Sequence, residues 1–323
     1  MPEAADSPHW LVTGATGFFG LALLRHWRSL GASAPRCTLL SRRPEVFLQR
    51  HPEFAGLRWH AGDVLKPETL PHGERFTHVL HAAADSTLGP QLTPLQRYDQ
   101  IVDGTRHLLD FAVASGARRF LLTSSGGVYG RLEGATGVRE DCLQMPDPLN
   151  PAQAYGVGKR AAEHLCALYA QAHGLETVVA RCFAFVGPDL PLDVHFAIGN
   201  FIRDALTADA IVVNGDGLPL RSYMHQQDLA HWLTVLLERG AAGEAYNVGS
   251  PEALSVGELA HRVRDLLAPH KPVHVRAKGD PAAATRNGYI PNVDKARALG
   301  LDLQWSLDDA IRDTARHAPP PSP

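Results

Sequence analysis

Apolar residues recur along the chain with two different periods. Short runs of strand length occur at 9–12 (HWLV), 37–40 (CTLL), 57–60 (LRWH), 78–84 (HVLHAAA), 119–125 (RFLLTSS) and 177–183 (TVVARCF). Between them, apolar positions return every three or four residues over 21–30 (LALLRHWRSL), 101–115 and 151–173. The first pattern predicts buried strands, the second helices with one face in the core. Gly116 and Gly174 directly follow the last two helical stretches, where a left-handed cap would end them. Strands and helices alternating at this spacing predict a parallel sheet covered on both faces. Right-handed crossovers then give a doubly wound, Rossmann-type α/β domain.

Beyond Gly187-Pro188 the texture changes to shorter elements with more prolines and glycines. The expected organisation is a tail at 1–8, the Rossmann domain at 9–187, a smaller α/β lobe at 188–315 and a tail at 316–323. Residues 225–239 and 245–250 (AYNVGS) have the pattern of a helix and a strand returning to the first domain, so the lobes are expected to interleave.

Charge and composition narrow what such a chain can bind. A net charge of −3 over 323 residues leaves no basic face for nucleic acid. No apolar run approaches the roughly 18 residues a membrane-spanning helix requires. The opening MPEAADSPHW carries acids and prolines where a secretory signal would be basic and then apolar, so cytoplasm is the expected location. Cys37, Cys142, Cys166 and Cys182 form no CxxC pair. His78 and His81 fall on opposite faces of a strand, and Pro272 separates His270 from His274. No metal site is expected.

The stretch TGATGFFG, Thr13–Gly20, sits between the first strand and the first helix. Glycines at 14, 17 and 20 suit a tight bend, close approach of the backbone to a pyrophosphate, and close helix–strand packing. The helix N-terminus then offers unpaired N–H groups to phosphate. Thr16, Phe18 and Phe19 complete this dinucleotide cradle. The second strand ends in Ser41-Arg42-Arg43, where a site for an unphosphorylated ribose would carry an acid. Guanidinium groups suit a 2′-phosphate, which favours NADP(H) with NAD(H) possible. Asp63, after the third strand, is placed either to accept from adenine or to form a turn.

The stretch YGVGK puts Tyr155 and Lys159 on one helix face, four residues apart. A phenol has a reference pKa of about 10, and a neighbouring ammonium favours the phenolate, making the pair a workable proton donor and acceptor. Ser125, at the end of the fifth strand, can hydrogen-bond a substrate oxygen.

With these residues assembled, the chain resembles the extended short-chain dehydrogenase/reductases that act on nucleotide sugars, the NAD(P)-dependent epimerases, dehydratases and 4-ketoreductases. Matching segments run in order from residue 10 to about 313: TGATGFFG, GDV, HAAA, VDGT, TSSGGVYG, YGVGK, RCFAFVGP, NGDGLPLRSYMHQQDLA, AYNVGS and NVDKARALGL. The resemblance implies catalytic roles for Ser125, Tyr155 and Lys159, with Tyr155 and Lys159 also touching the dinucleotide. It extends the cofactor site to Val64, Ala82, Ala83 and Ala84. It assigns Arg221, and more weakly Arg286, to a sugar diphosphate, and implies a homodimer packed through the helices near 101–115 and 152–172.

The departures are informative. The 4,6-dehydratases of this family carry Asp-Glu after the catalytic residue, where this chain has Gly126-Gly127, which can neither protonate a leaving hydroxyl nor remove a carbon-bound proton. Ile101 and Ala184 replace asparagines common in the family, and Asn200 is a candidate substitute in contacting the sugar. The reading that follows is NADPH-dependent reduction of a nucleoside diphosphate 4-keto(-6-deoxy) sugar, with Tyr155 as proton donor. An NAD-dependent 4-epimerase would use the same trio in the oxidising direction. A non-catalytic dinucleotide-binding scaffold on the same fold is the third reading, and it would have little need of an intact trio.

Overall fold

His9–Thr13 forms strand β1, all five residues of which are buried. It pairs in parallel with β2 (Arg36–Ser41) on one side and β4 (His78–His81) on the other, setting Val12 opposite Leu39 and Leu80. β2 pairs in parallel with β3 (Arg58–Ala61), and β4 with β5 (Arg119–Ser125). With β6 (Glu176–Cys182) and β11 (Ala245–Val248), the order across this seven-stranded sheet is β3-β2-β1-β4-β5-β6-β11. The order reverses between β1 and β4, and the crevice beyond their C-terminal ends is where open α/β sheets take ligands. The computed structural model describes residues 8–83, 91–132, 137–194, 196–279 and 288–318.

The chain divides into two units, the first comprising Met1–Gly130, Met145–Arg181 and Ala230–Tyr246. Its helices are α1 (Phe18–Leu30), α2 (Pro44–Arg50), α3 (Pro94–Ser115), α4 (Ala154–His173) and most of α6 (Gln226–Arg239). Gly116 and Gly174 cap α3 and α4 at φ 79° and 68°, as expected. α3 starts seven residues before the expected Ile101, because Pro94 opens it and Thr93 and Gln96 form a capping box. Its polar first turns hid it from the apolar pattern. Leu11, Val79, Leu108, Leu109, Phe120, Ala162 and Leu165 form the core between sheet and helices. Each large apolar side chain there contributes about 1.5–3 kcal/mol by leaving water. A Cβ added at Gly158 would stand 3.4 Å from Tyr98 and 3.5 Å from Ile101, so α3 and α4 pack closely.

The second unit comprises Arg131–Gln144, Cys182–Leu229 and Asn247–Pro323. It holds the strand pairs β7 (Phe185–Val186) with β10 (Met224–His225), and β8 (Ile211–Val213) with β13 (Val273–Val275). β9 (Leu220–Arg221) lies between β12 (Leu254–Ser255) and β14 (Gly288–Tyr289). Helices α5 (Ala197–Thr207), α7 (Val256–Leu267), α8 (Asp294–Arg297) and α9 (Leu307–His317) complete it. The stretch 131–144, read from sequence as part of the first domain, clusters here through Asn247, whose main-chain N–H donates to Glu140 Oε1 (2.8 Å) and whose Nδ2 donates to the Val138 carbonyl (2.8 Å). α9 continues through Arg316 and His317, where the sequence analysis expects a tail. Asp313 holds that last turn through Arg316 Nη2 at 3.1 Å. Residues 1–7 and 319–323 lie outside the described residues. No described helix is long and apolar enough to cross a membrane.

Candidate active site

The glycines of the β1–α1 turn have different tasks. Gly14 adopts φ +75°, and a Cβ on it would strike the carbonyl of Ala82 beyond β4. A Cβ on Gly20 would strike the backbone of Ala15. Gly17 has an unstrained φ of −91°, and a Cβ there would meet nothing closer than 3.6 Å. Its bareness therefore serves no packing need. It lies at the N-terminus of α1, whose first turn carries no acidic residue and whose N-cap has no side-chain hydrogen bond. The first N–H groups of a helix lack intrahelical acceptors, and a bare, acid-free end of this kind fits a pyrophosphate. Thr16 is exposed beside it, with Phe18 and Phe19 half-buried.

At the neighbouring strand end, Thr13 Oγ1 shares a 2.8 Å hydrogen bond with His81 Nδ1 and accepts from the Ala83 N–H at 3.3 Å. Burial, reinforced by the nearby Lys159 cation, pushes the His81 imidazole down to about 3 and keeps it neutral. Ala82 and Ala83 thus line the crevice, while Ala84 lies outside the described residues. Ser41 is buried and accepts from the Arg43 N–H at 3.3 Å, leaving the Arg42 and Arg43 side chains exposed at the end of β2. Asp63 serves a turn, since its Oδ1 accepts from the Leu65 N–H at 3.0 Å. The Val64 carbonyl takes a hydrogen bond from His107 Nδ1 at 2.9 Å.

Ser125 ends β5, and its Oγ accepts from the Gly127 N–H at 3.1 Å. A Cβ built on Gly127 would stand 3.4 Å from that Oγ and 3.6 Å from Tyr155 Cδ1, so hydroxyl and phenol ring flank one small space. A Cβ on Gly156 would come within 2.6 Å of the Gly127 carbonyl. Glycine at 156 is what lets α4 come this close to the strand end and deliver Tyr155. Lys159, one turn on, is only 4% exposed and donates through Nζ to the Thr123 carbonyl at 2.8 Å. Within the first unit, Ser125 and Tyr155 thus stand on either side of Gly127, and Lys159 is bonded to β5 two residues before Ser125.

Two features of this site escaped the sequence reading. Ser124 Oγ donates to Glu163 Oε1 at 2.5 Å, and Arg181 clasps Glu163 with Nη2–Oε2 at 2.8 Å and reaches the Tyr129 hydroxyl at 2.9 Å. This largely buried ion pair ties α4, β5 and β6 together near the trio. Its sequence signal was Glu163, four residues after Lys159 on the same helix face. The second is Arg97 of α3, whose guanidinium carbon lies 4.5 Å from the centre of the Tyr155 ring.

Of the residues proposed for the substrate, Asn200 and Arg221 lie in the second unit. Arg221 donates through Nη1 to the Leu220 carbonyl at 2.7 Å and lies 5.9 Å from the Tyr289 ring centre. Asn200 Oδ1 accepts from Arg203 Nη1 at 3.2 Å. Arg286 lies outside the described residues. No group of three or more potential metal ligands occurs among the described residues.

A phenol one helical turn from an ammonium, beside the end of a strand in a doubly wound sheet whose first turn is glycine-rich, is the arrangement of the short-chain dehydrogenase/reductase class. A profile of the family described as "NAD dependent epimerase/dehydratase family" matches residues 10–249. UDP-glucuronic acid decarboxylase 4 of Arabidopsis thaliana is 29% identical over 94% of this chain and 66% of its own length. The dTDP-glucose 4,6-dehydratase of Streptomyces griseus is 29% identical over 92% of this chain and 93% of its own. The solved structure of MoeE5 in complex with UDP-glucuronic acid and NAD aligns with a TM-score of 0.75 at 29% identity, covering 96% of this chain and 98% of that one. The chain belongs to the NAD-dependent epimerase/dehydratase family, the extended short-chain dehydrogenase/reductases of nucleotide sugars. It spans about two thirds of the length of the plant decarboxylase.

Proposed function

We propose that the protein exchanges hydride between a nicotinamide dinucleotide and a nucleoside diphosphate sugar, reducing a 4-keto(-6-deoxy) sugar with Tyr155 as the acid/base. The observation that carries this reading is the bare space at Gly127. Eliminating a hydroxyl needs an acid for the leaving oxygen and a base for a carbon-bound proton. A side chain at 127 would stand between Ser125 and Tyr155, and at 126 and 127 this chain offers none. One phenol suits chemistry that moves one proton on one oxygen.

When bound, the dinucleotide supplies the hydride that the carbonyl carbon receives. Gly14, Thr16, Gly17, Phe18, Phe19, Gly20, Ala82 and Ala83 would hold its phosphates, and Lys159 its ribose. Tyr155 passes its phenolic proton to the developing alkoxide. Ser125 Oγ, held at the end of β5 where it accepts from the Gly127 N–H, would donate its hydroxyl hydrogen to the substrate oxygen. Lys159 favours the phenolate left behind. Arg42 and Arg43, exposed at the end of β2, support NADP(H). Asn200, Arg221 and Arg286 are assigned to the sugar diphosphate, and the outer faces of α3 and α4 to a homodimer.

A 4-epimerase that retains its NAD is the second reading, favoured by the NAD in the MoeE5 complex. Denaturing the purified protein and identifying any released dinucleotide separates the two. The reductase releases none and consumes NADPH in step with a 4-keto sugar, whereas the epimerase releases NAD and consumes nothing.

A further inference from the structure

We infer that Arg97 is a positioning residue for Tyr155, a second cation that holds the phenol ring from α3 and favours its ionised form. The inference rests on the reading of Tyr155 as the acid/base. Lys159, the cation on the phenol's own helix, directs Nζ to the Thr123 carbonyl at 2.8 Å. Its charge is thus anchored on β5. The Arg97 guanidinium lies over the face of the Tyr155 ring at 4.5 Å from its centre, within the range of about 6 Å over which a cation and an aromatic face attract. The interaction strengthens as the ring gains electron density, so it favours phenolate over phenol.

The helix geometry makes this contact deliberate. Arg97 and Ile101 are four residues apart and share a face of α3, and Ile101 packs against Gly158 of α4. Gly158 lets the helices approach, and that approach brings Arg97 over Tyr155. Other charged or titratable groups come from the neighbouring elements. Lys159 and Arg160 come from α4, with Arg160 donating to the Val128 carbonyl at 3.2 Å. Glu163 is paired with Arg181. Tyr98 of α3 faces Gly158. His81 of β4 is neutral and bonded to Thr13, and β5 contributes the uncharged Ser125.

The test is a pH titration of Tyr155 in protein carrying tyrosines labelled with carbon-13 at Cζ, the Tyr155→Phe variant identifying its signal. No substrate or cofactor is needed. The Tyr155 midpoint is expected to rise in Arg97→Gln and to stay at its native position in Arg97→Lys, which keeps the charge. With the 4-keto sugar, which takes its proton from the phenol, the fall of kcat at alkaline pH is expected to move to higher pH in Arg97→Gln by the same shift as the Tyr155 midpoint, and to stay in place in Arg97→Lys. Arg97 is partly exposed, so both variants are expected to keep the native melting temperature. An unmoved midpoint in a folded Arg97→Gln overturns the inference, as does an equal rise in Arg97→Lys. Should Tyr155→Phe retain full activity, the functional reading fails while the titration still decides the role of Arg97.

Discussion

Three glycines in one eight-residue turn look alike in the sequence and are not alike in the fold. Gly14 and Gly20 are bare because backbone lies where their side chains would go, whereas Gly17 is bare although nothing in the protein crowds it. Gly17→Ala is therefore expected to keep the native melting temperature yet bind NADPH or NAD at least tenfold more weakly by calorimetry, since its methyl occupies the phosphate approach. Gly20→Ala is expected to lower the melting temperature first, overpacking of this kind costing about 1–3 kcal/mol. Single residues also set the acid limit of the fold. Burial holds His81 at about 3 and His78 at about 4, below the ordinary imidazole value of about 6.5. The unfolded chain binds those protons first, so stability is complete above about pH 6.5 and is lost as pH falls toward 3. Each histidine is expected to cost roughly 2 kcal/mol by pH 5, read as a fall in the urea midpoint. A midpoint that stays level from pH 7 to 5 would show that these imidazoles are not held neutral.

At the scale of elements, what the sequence revealed depended on how local each signal was. β1, the glycine turn and α1 lie within one short window, and Tyr155 and Lys159 share one helical turn, so all could be read directly. The apolar period of α3 begins only at Ile101, because its first turns are polar and their cap is a Thr93–Gln96 pair, which carries no apolar period. Arg97 lies in those turns. The Glu163–Arg181–Ser124 network joins three elements that only the packed fold brings together, and the link from Glu140 to Asn247 spans 107 positions. Neither leaves a pattern in a window. Because the Arg181 and Glu163 side chains are only 12% and 11% exposed, Glu163→Gln leaves a largely desolvated guanidinium without its charge partner and is expected to cost about 3 kcal/mol in chemical denaturation. Loss of no more than about 1 kcal/mol would mean the pair behaves as a surface contact.

For the whole molecule, the proposed chemistry is hydride exchange on a nucleotide sugar, and this chain's own departures argue for its reductive version. Glycines at 126 and 127 take away the acid and base that elimination needs, leaving the phenol. The arginines after β2 bear on which dinucleotide is used. Arg42→Ala with Arg43→Ala is expected to weaken NADPH by about tenfold or more while leaving NADH within about twofold, a 2′-phosphate losing its charge-assisted hydrogen bonds. An unchanged preference would remove the case for NADP(H) and favour the epimerase. The measurement that bears most directly on the central claim follows a single deuterium. NADPH deuterated at the transferring position of its nicotinamide would be incubated with a nucleoside diphosphate 4-keto-6-deoxy sugar and the native chain or Tyr155→Phe, and the sugar analysed by mass spectrometry. The expected result is one deuterium per sugar with the native chain, and a rate reduced by roughly 10²–10⁴-fold with Tyr155→Phe. Deuterium transfer at the native rate without the phenol, or none from the native chain, would contradict it.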